Sequence, residues 1–379
     1  MWWIRKPSPP PSAPAESAPR AMPRGTAILT GLAGATVVAF GLFAIQSIVA
    51  PIVLSLVLTI CAHPLRIGLQ NRGVPRGFAT VVVALAVFVA LAAFITAFVI
   101  AFAQFAGLLP QFAGQIVDIG EAVGAWLATI GIGPDQVQAI VSGFDPGRIL
   151  GAVSGLFGSV ASISVALVVV LTTLILMAAD ASYLGAIFDG LRPSRPRVVT
   201  SLEILAGGIR RYMIATTALG IAQGAFNALA LALLGVPGAF LWGMLSFLCS
   251  FIPNVGYFIA LVPPVVFGFL EGGWQTAIPV IVLYAVINGV IQSIIQPRVV
   301  GNAVALSQTI TFVSVLIWAT IVGPVGAILA IPLTLIVRAL LIDSDPQAGW
   351  WRPVIGDLAS TRSAMKAHDA ARKHARKAA

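Results

Sequence analysis

Proline and glycine interrupt two apolar stretches of this chain, SFIPNVGYF at residues 250–258 and TIVGPVGAILA at residues 320–330. The breaks lie near the centres of two longer apolar regions, 237–272 and 304–340. Each limb has about 14 to 17 residues and as helix reaches about 21 to 26 Å, less than the roughly 30 Å hydrocarbon core of a bilayer. The pattern therefore predicts two re-entrant helical hairpins. Because freed backbone groups at membrane depth need protein or water as partners, the tips also predict a cavity.

The composition places the rest of the chain in a membrane as well. Of 379 residues, 59% are hydrophobic and 9% are charged, which is far from the composition of a soluble globular protein. The predicted fold class is an all-α polytopic membrane protein with about six full transmembrane helices besides the two hairpins. The six predicted spans are 27–46, 48–64, 77–103, 153–179, 212–234 and 275–296.

The distribution of basic residues predicts the orientation. Arginines gather in the loop after the second span and in the segment 180–211, and Lys and Arg recur in the tail after Arg338, whereas Arg148 is the one basic residue predicted outside. The positive-inside rule therefore predicts an inner (plasma) membrane protein with both termini in the cytoplasm. The net charge of +9 is explained by topology, so no nucleic-acid partner is expected.

The same features divide the chain into successive regions. The segment 104–152 has an apolar stripe at near-helical spacing, which predicts an external amphipathic helix that lies either on the bilayer or on the protein's own apolar surface. The predicted regions are a disordered cytoplasmic arm at 1–26, a three-helix membrane region at 27–103, the external segment at 104–152, the fourth span with a cytoplasmic loop at 153–211, a transport core at 212–342 and a basic cytoplasmic tail at 343–379.

The two interrupted regions also resemble each other. Gly256 and Gly326 are 326 − 256 = 70 positions apart, and Val255 matches Val325 at the same offset. Each region follows one full span, and these two spans run in opposite directions. This order is typical of an inverted-topology repeat, in which broken segments from the two halves meet near the bilayer midplane and form the substrate site.

Uncharged polar residues surround the predicted tips. Gln223 and Asn227 lie one helical turn apart, as do Asn288 and Gln292. Such amides either line a path for a neutral hydrophilic solute or join helices by hydrogen bonds. The residues predicted to form the substrate pathway are Gln223, Asn227, Pro253, Asn254, Gly256, Asn288, Gln292, Gln296, Pro297, Gly301, Gln308, Thr311, Gly323, Pro324, Gly326 and Pro332.

Other functional classes find less support in the sequence. A cation/proton antiporter normally needs an ionisable group within the membrane, but Asp180, Glu203 and Glu271 lie at the ends of spans or in a loop. Cys61 and Cys249 show no metal-site spacing, and the motifs HExxH, GxSxG and GxGD are absent. We therefore expect neither an enzyme nor a metal or other cofactor, while a non-transporting scaffold is a further alternative.

Four segments carry a resemblance to a known family. They are VAPIVLSLVLTICAHPLRIGLQNRGVPRGFAT at 49–80, FIPNVGYFIALVPPV at 251–265, QPRVVGNAVALS at 296–307 and GPVGAILAIPLTLIV at 323–337. Together they resemble the autoinducer-2 exporter-like permease family over residues 27 to 342. The chain departs from the family pattern at Gln308, where proline is frequent, and at Asn288 and Gln292, where polar or acidic residues occur.

The resemblance implies a secondary permease of the bacterial or archaeal membrane. Its members usually export small hydrophilic molecules such as the autoinducer-2 signal, and some are linked to sodium/proton exchange, which is the alternative function for this chain. The expected partners are a small solute and the lipid bilayer. Glycine-rich spans are typical of helices that pack closely, so a homo-oligomer is also expected.

Overall fold

A computed structural model describes residues 24–131, 133–141, 160–296 and 306–344, with isolated positions at 147, 298, 365–366 and 368–369. Most of the predicted arm and basic tail, and the predicted site residues Pro297 and Gly301, therefore lie outside the described residues. Within the described ranges every regular element is helical, which confirms the predicted all-α class.

The helices of the N-terminal part lie before residue 192. They are α1 (Arg24–Ala44), α2 (Gln46–Gln70), α3 (Arg76–Leu108), α4 (Ala113–Thr129), α5 (Pro134–Val141), α6 (Val160–Asp180) and α7 (Leu184–Leu191), with a 3₁₀ turn at Leu109–Phe112 between α3 and α4. Helix α1 belongs to a compact unit of its own that ends at Ala44, and the unit from Ile45 onward contains all the other helices.

The C-terminal part contains the two interrupted regions. Its helices are α8 (Pro196–Leu233), α9 (Ala239–Cys249), α10 (Gly256–Gly289), α11 (Gln308–Val322), α12 (Pro324–Ile328) and α13 (Ala330–Arg338), with π-helical turns at Val290–Ile295 and Ala339–Asp343. Helix α10 is broken at Gly272 and Gly273, whose backbone angles are not helical. We call α9 with residues 256–271 the first broken segment, and α11 to α13 the second broken segment.

Several of these helices suit a bilayer. Four helical stretches of the described residues are long and apolar enough to cross a membrane, and the pair α6 and α7, bent by 50°, is a fifth candidate. The protein is thus a multi-pass membrane protein. The number of six full spans stays a prediction, because α1 contributes only the apolar stretch Leu29–Ala44 and residues 153–159 lie outside the described ranges. The four stretches are Gln46–Gln70, Arg76–Thr129, Pro196–Leu233 and Gly256–Ile295.

Helix α8 extends beyond the boundary expected from hydropathy. Helix α8 begins at Pro196, so residues 196–211, which were predicted as a cytoplasmic loop, are helical. Its 38 residues correspond to about 57 Å of helix, well beyond the thickness of a bilayer core. Hydropathy identifies only the residues that suit lipid. A helix can continue beyond those residues until a residue such as proline ends it, so its boundary need not coincide with the hydropathy boundary. Proline at the first helical position explains where α8 starts.

Helix α4 follows α3 where the sequence predicted an external amphipathic segment. Phe112 and Ile116 are buried against Leu270 of α10, and the rings of Phe112 and Phe267 are 5.7 Å apart in edge contact. The first part of the apolar stripe therefore covers the protein's own surface. Trp126 of the same helix is 61% exposed, so the far end of the stripe has no such cover from the described residues.

Two apolar cores within the larger unit share helix α8. One core joins α3, α9 and α10, and it contains Leu231 near the end of α8 together with Cys249. The other joins α2 to the second broken segment, and it contains Ile209 and Met213 of α8 together with Phe251. The break after α9 therefore lies where the chain passes from one core to the other.

The breaks lie at the residues that sequence analysis selected. Helix α9 ends at Cys249, and a turn follows in which Ile252 N donates to Cys249 O at 3.0 Å and Gly256 N to Ile252 O at 3.0 Å. Asn254 is the one non-glycine residue of the described ranges with a positive φ, +65°. Gly323, with φ +77°, separates α11 from Pro324 at the start of α12. Asparagine and glycine tolerate this conformation best.

Gly256 and Gly326 have similar packing roles. A Cβ atom added to Gly256 would collide with the carbonyl oxygen of Cys249, and one added to Gly326 would collide with that of Trp318. Each glycine therefore lets the chain after a break pack directly on the backbone of the helix before it.

This packing predicts the effect of a single methyl group. Gly256→Ala is expected to lower the free energy of unfolding by about 1–3 kcal/mol, because the neighbouring carbonyl belongs to rigid backbone. The matched control is Gly207→Ala in α8, where nothing lies within 4 Å; it should be neutral or stabilise by up to about 1 kcal/mol through higher helix propensity. Thermal unfolding in detergent measures both. Equal unfolding temperatures for the two variants would contradict the close contact.

Candidate functional site

A cavity of about 380 Å³ lies between the two broken segments, α8 and the π-helical turn after α10. This volume is in the range of sites for small molecules. Its walls are formed by Tyr212, Thr216, Leu219, Gln223, Ser250, Pro253, Asn254, Ile291, Gln292, Ser293, Gln296, Leu306, Gln308, Thr311 and Ile331.

The lining consists of neutral groups only. Five of its side chains are amides, five are hydroxyls and five are apolar, and none of the described lining residues is Asp, Glu, Lys, Arg or His. Amides and hydroxyls both donate and accept hydrogen bonds. The cavity is therefore suited to an uncharged solute that has both donor and acceptor groups. The hydroxyls are those of Tyr212, Thr216, Ser250, Ser293 and Thr311.

Three local structures direct these side chains into the cavity. On α8, Tyr212, Thr216, Leu219 and Gln223 follow at helical spacing and therefore share one face. At the break, the turn around Asn254 with its positive φ turns the chain back toward α10. After α10, the wider π-helical turn brings several neighbouring residues to the wall, and such turns occur frequently at functional sites.

Seven of the predicted pathway residues line the cavity, and they come from all of the elements around it. They are Gln223, Pro253, Asn254, Gln292, Gln296, Gln308 and Thr311. The structure brings these seven together although they are spread over 89 positions of the chain, 311 − 223 + 1.

Seven other predicted residues are not part of the cavity lining. Asn227 and Asn288 take part in hydrogen bonds with other polar side chains: Gln223 Nε2 donates to Asn288 Oδ1 over a long 3.5 Å, and the buried Asn227 donates to Ser246 Oγ at 3.1 Å. The other five shape the breaks and the second broken segment, and these are Gly256, Gly323, Pro324, Gly326 and Pro332. Their part in a substrate pathway stays a prediction.

Side-chain hydrogen bonds hold the helices of the second broken segment together. Trp318 Nε1 on α11 donates to Thr334 Oγ1 on α13 at 3.0 Å, and Thr334 in turn donates to the carbonyl of Ala330 at 2.7 Å. Pro332 is fully buried beside them. These contacts hold α13 against α11, and Ile331 at the start of α13 forms part of the cavity wall.

Four polar lining residues were not expected from the sequence. Tyr212 and Thr216 continue the stripe of Gln223 toward the start of α8, so extending the helical spacing backward would have found them. Ser250 lies just before the Pro-Asn pair and joins the lining because α9 ends at Cys249. Ser293 faces the cavity through the π-helical turn, and no sequence rule predicts such a turn.

The acidic side chains that an antiporter would need lie elsewhere. Asp180, Glu203 and Glu271 are exposed and outside the lining. Glu203 accepts a hydrogen bond from the Arg192 guanidinium at 2.6 Å, which is a surface ion pair. The described residues also contain no group of three or more His, Cys, Asp or Glu side chains that could hold a metal ion.

Comparison with known proteins identifies the family of this chain. The family model described as AI-2E family transporter matches residues 32–344, which include every helix from α2 to α13. The chain belongs to the AI-2E transporter family. The resemblance seen in the sequence is thereby confirmed.

Relatives within the AI-2E family are distant but cover nearly the full chain. The AI-2 transport protein TqsA of Escherichia coli K12 is 26% identical over 317 residues, 84% of this chain and 92% of TqsA. The putative transport protein YhhT of the same organism is 28% identical over 315 residues, 82% of this chain and 88% of YhhT. A putative transport protein of Haemophilus influenzae is 26% identical over 340 residues, 87% of this chain and 96% of its own length.

Thiol chemistry tests whether the cavity contains water. In a chain with Cys61→Ala and Cys249→Ala, a cysteine at Gln308 should react with a hydrophilic thiol reagent about tenfold or more faster than one at Asn227, because accessibility controls the reaction. Gln308 is an exposed lining residue, whereas Asn227 is buried. Complete labelling of both variants after unfolding is the control. Equal rates in the folded protein would contradict a water-filled cavity.

Proposed function

We propose that this protein is a secondary permease that exports a small, uncharged, hydrophilic solute by alternating access. The neutral lining of the cavity is the observation that carries the proposal. Ten hydrogen-bonding side chains without a formal charge surround about 380 Å³, so a polar solute exchanges its water for protein partners without any ion being desolvated. Membership of the AI-2E family makes an autoinducer-2-like signal the first solute to test.

The proposed topology places six full spans and two re-entrant hairpins in the inner membrane, with both termini in the cytoplasm. The two broken segments support the hairpins, since α9 has only 11 residues and α11 has 15, which is about 16 and 22 Å of helix. The shared packing of Gly256 and Gly326 supports an inverted repeat. Association into a homo-oligomer is part of the same proposal.

The two apolar cores support a movement that alternates access. The first broken segment packs mainly in one core and the second in the other, and α8 takes part in both. A rigid-body shift of one core relative to the other would move the walls of the cavity that lies between them, which is how access alternates in transporters with broken helices.

The antiporter alternative finds no support from the cavity. Its described lining has no acidic residue that could carry a proton, and Asp180 and Glu271 are exposed outside it. A substrate pathway of amides and hydroxyls has no carrier for protons near neutral pH. Transport of a neutral solute explains the amides and hydroxyls of the lining and needs no proton-carrying group.

A flux assay with a matched pair of glutamines tests the proposal. In proteoliposomes loaded with a radiolabelled autoinducer-2-like polyhydroxylated solute, Gln292→Leu should reduce the flux about fivefold or more, because the solute loses a hydrogen-bonding partner while its polar group is desolvated. Gln275→Leu is the control, since Gln275 is exposed, follows the break of α10 at Gly272 and Gly273, and lies outside the lining. Its flux should equal that of the wild type.

Two results would contradict the proposal. If wild-type protein carried no uncharged polar solute above the rate of empty liposomes, the solute class would be wrong. If Gln292→Leu and Gln275→Leu gave equal flux, the cavity would lie outside the transport path.

A further inference from the structure

Two polar stripes extend beyond the cavity, one on α8 and one on α10. On α8, Asn227 lies one turn after the lining residue Gln223, and on α10, Tyr284 and Asn288 lie two turns and one turn before Gln292. Gln223 Nε2 and Asn288 Oδ1 are 3.5 Å apart. The two stripes are therefore apart on either side of the cavity, and they meet at the edge of the cavity where Gln223 contacts Asn288.

A compact hydrogen-bonded cluster closes the end of the cavity at which the two stripes meet. Ser246 of α9 donates its hydroxyl hydrogen to the carbonyl of Trp242 at 2.8 Å, so its oxygen accepts from Asn227 Nδ2 at 3.1 Å. Tyr284 OH lies 3.3 Å from the same oxygen and donates to it, because the single hydrogen of Ser246 is already used. Asn227, Ser246 and Tyr284 are at most 1% exposed. We call these three residues the outer cluster.

The outer cluster joins three helices at a place of close backbone contact. A Cβ atom on Gly243 of α9 would lie 2.7 Å from the carbonyl oxygen of Gly224 on α8, and one on Gly224 would lie 2.6 Å from that of Gly243. Helices that approach so closely leave no passage between them. If α9 moved a few ångströms away from α8 and α10, both hydrogen bonds of the cluster would break. The cavity would then be connected to the side of the membrane beyond the cluster.

One atom of the cluster has no partner in this closed arrangement. Asn227 Oδ1 is buried and accepts no hydrogen bond from any described residue. An unsatisfied buried acceptor opposes folding, and in a native structure it calls for an explanation. A leucine at this position would fill the same space without that cost, so stability alone does not account for the amide.

We propose that the outer cluster is a closed gate on the path that begins at the cavity, and that Asn227 Oδ1 accepts a hydrogen bond from the solute when the gate opens. The inference rests on the proposed transport function and on the proposed topology, which places the cluster on the external side. It assigns to Ser246 and Tyr284 a positioning role, since they hold Asn227 in the closed state.

The gate can be tested without a known solute. The chain has Cys61→Ala, Cys249→Ala and Gln292→Cys, and a charged membrane-impermeant thiol reagent is added from the external side of intact cells. Tyr284→Phe in this background removes one hydroxyl and should increase the labelling rate of the reporter cysteine about three- to tenfold, as expected for the loss of one hydrogen bond. Tyr257→Phe is the matched control, because Tyr257 is on the same helix but outside the cluster.

Ser246→Ala provides a second variant if Tyr284→Phe fails to reach the membrane, because it removes the acceptor for both Asn227 and Tyr284. Unchanged external labelling in the variants would overturn the gate. Solute flux is measured separately on chains that keep Gln292. Faster labelling without flux of any neutral solute would leave the gate in place and refute the proposed solute, whereas flux with unchanged labelling would leave the transporter in place and refute the gate.

Discussion

The backbone at membrane depth must find hydrogen-bonding partners, and the structure of the C-terminal half follows from this constraint. Each broken helix frees N–H and C=O groups that lipid cannot satisfy. After α9 the chain solves this problem locally, with a turn in which Ile252 and Gly256 donate to backbone carbonyls. Ser250 and Asn254 at the tip also line the cavity. The break therefore supplies residues to the cavity wall, and the cavity provides a polar environment for the break.

Helix α8 connects this local solution to the rest of the molecule. Its first part packs in the core with the second broken segment, its last part packs in the core with the first, and the face between them lines the cavity. The same helix carries Gly220 and Gly224, which let α9 approach closely. A single long helix thus supports both broken segments and supplies four of the residues that face the cavity. In a transporter, a helix that packs with both broken segments can stay in place while either segment moves relative to it.

The chemistry of the cavity limits what the cavity can bind. A neutral lining provides directional hydrogen bonds but no charge to offset an ion that has lost its water, so ions are disfavoured relative to polar uncharged molecules. Five apolar residues complete the lining. The amides are distributed around the wall, so hydrogen bonds to a solute would be shared among several residues. A transporter benefits from this arrangement, because its solute must leave as well as enter.

The sequence by itself determined the membrane class, the family and the positions of both breaks, because hydropathy, proline and glycine act on their immediate neighbours. It also identified seven of the residues that line the cavity, since an uncharged amide in an apolar helix is conspicuous. The tertiary structure alone separated Gln223, which faces the cavity, from Asn227, which bonds Ser246 one turn away. The two residues have the same spacing pattern and similar chemistry, and only the approach of α9 and α10 distinguishes them. Likewise, the length of α8 depended on a helix that continues past its apolar stretch, and the wall position of Ser293 depended on a π-helical turn, and no periodicity encodes either feature.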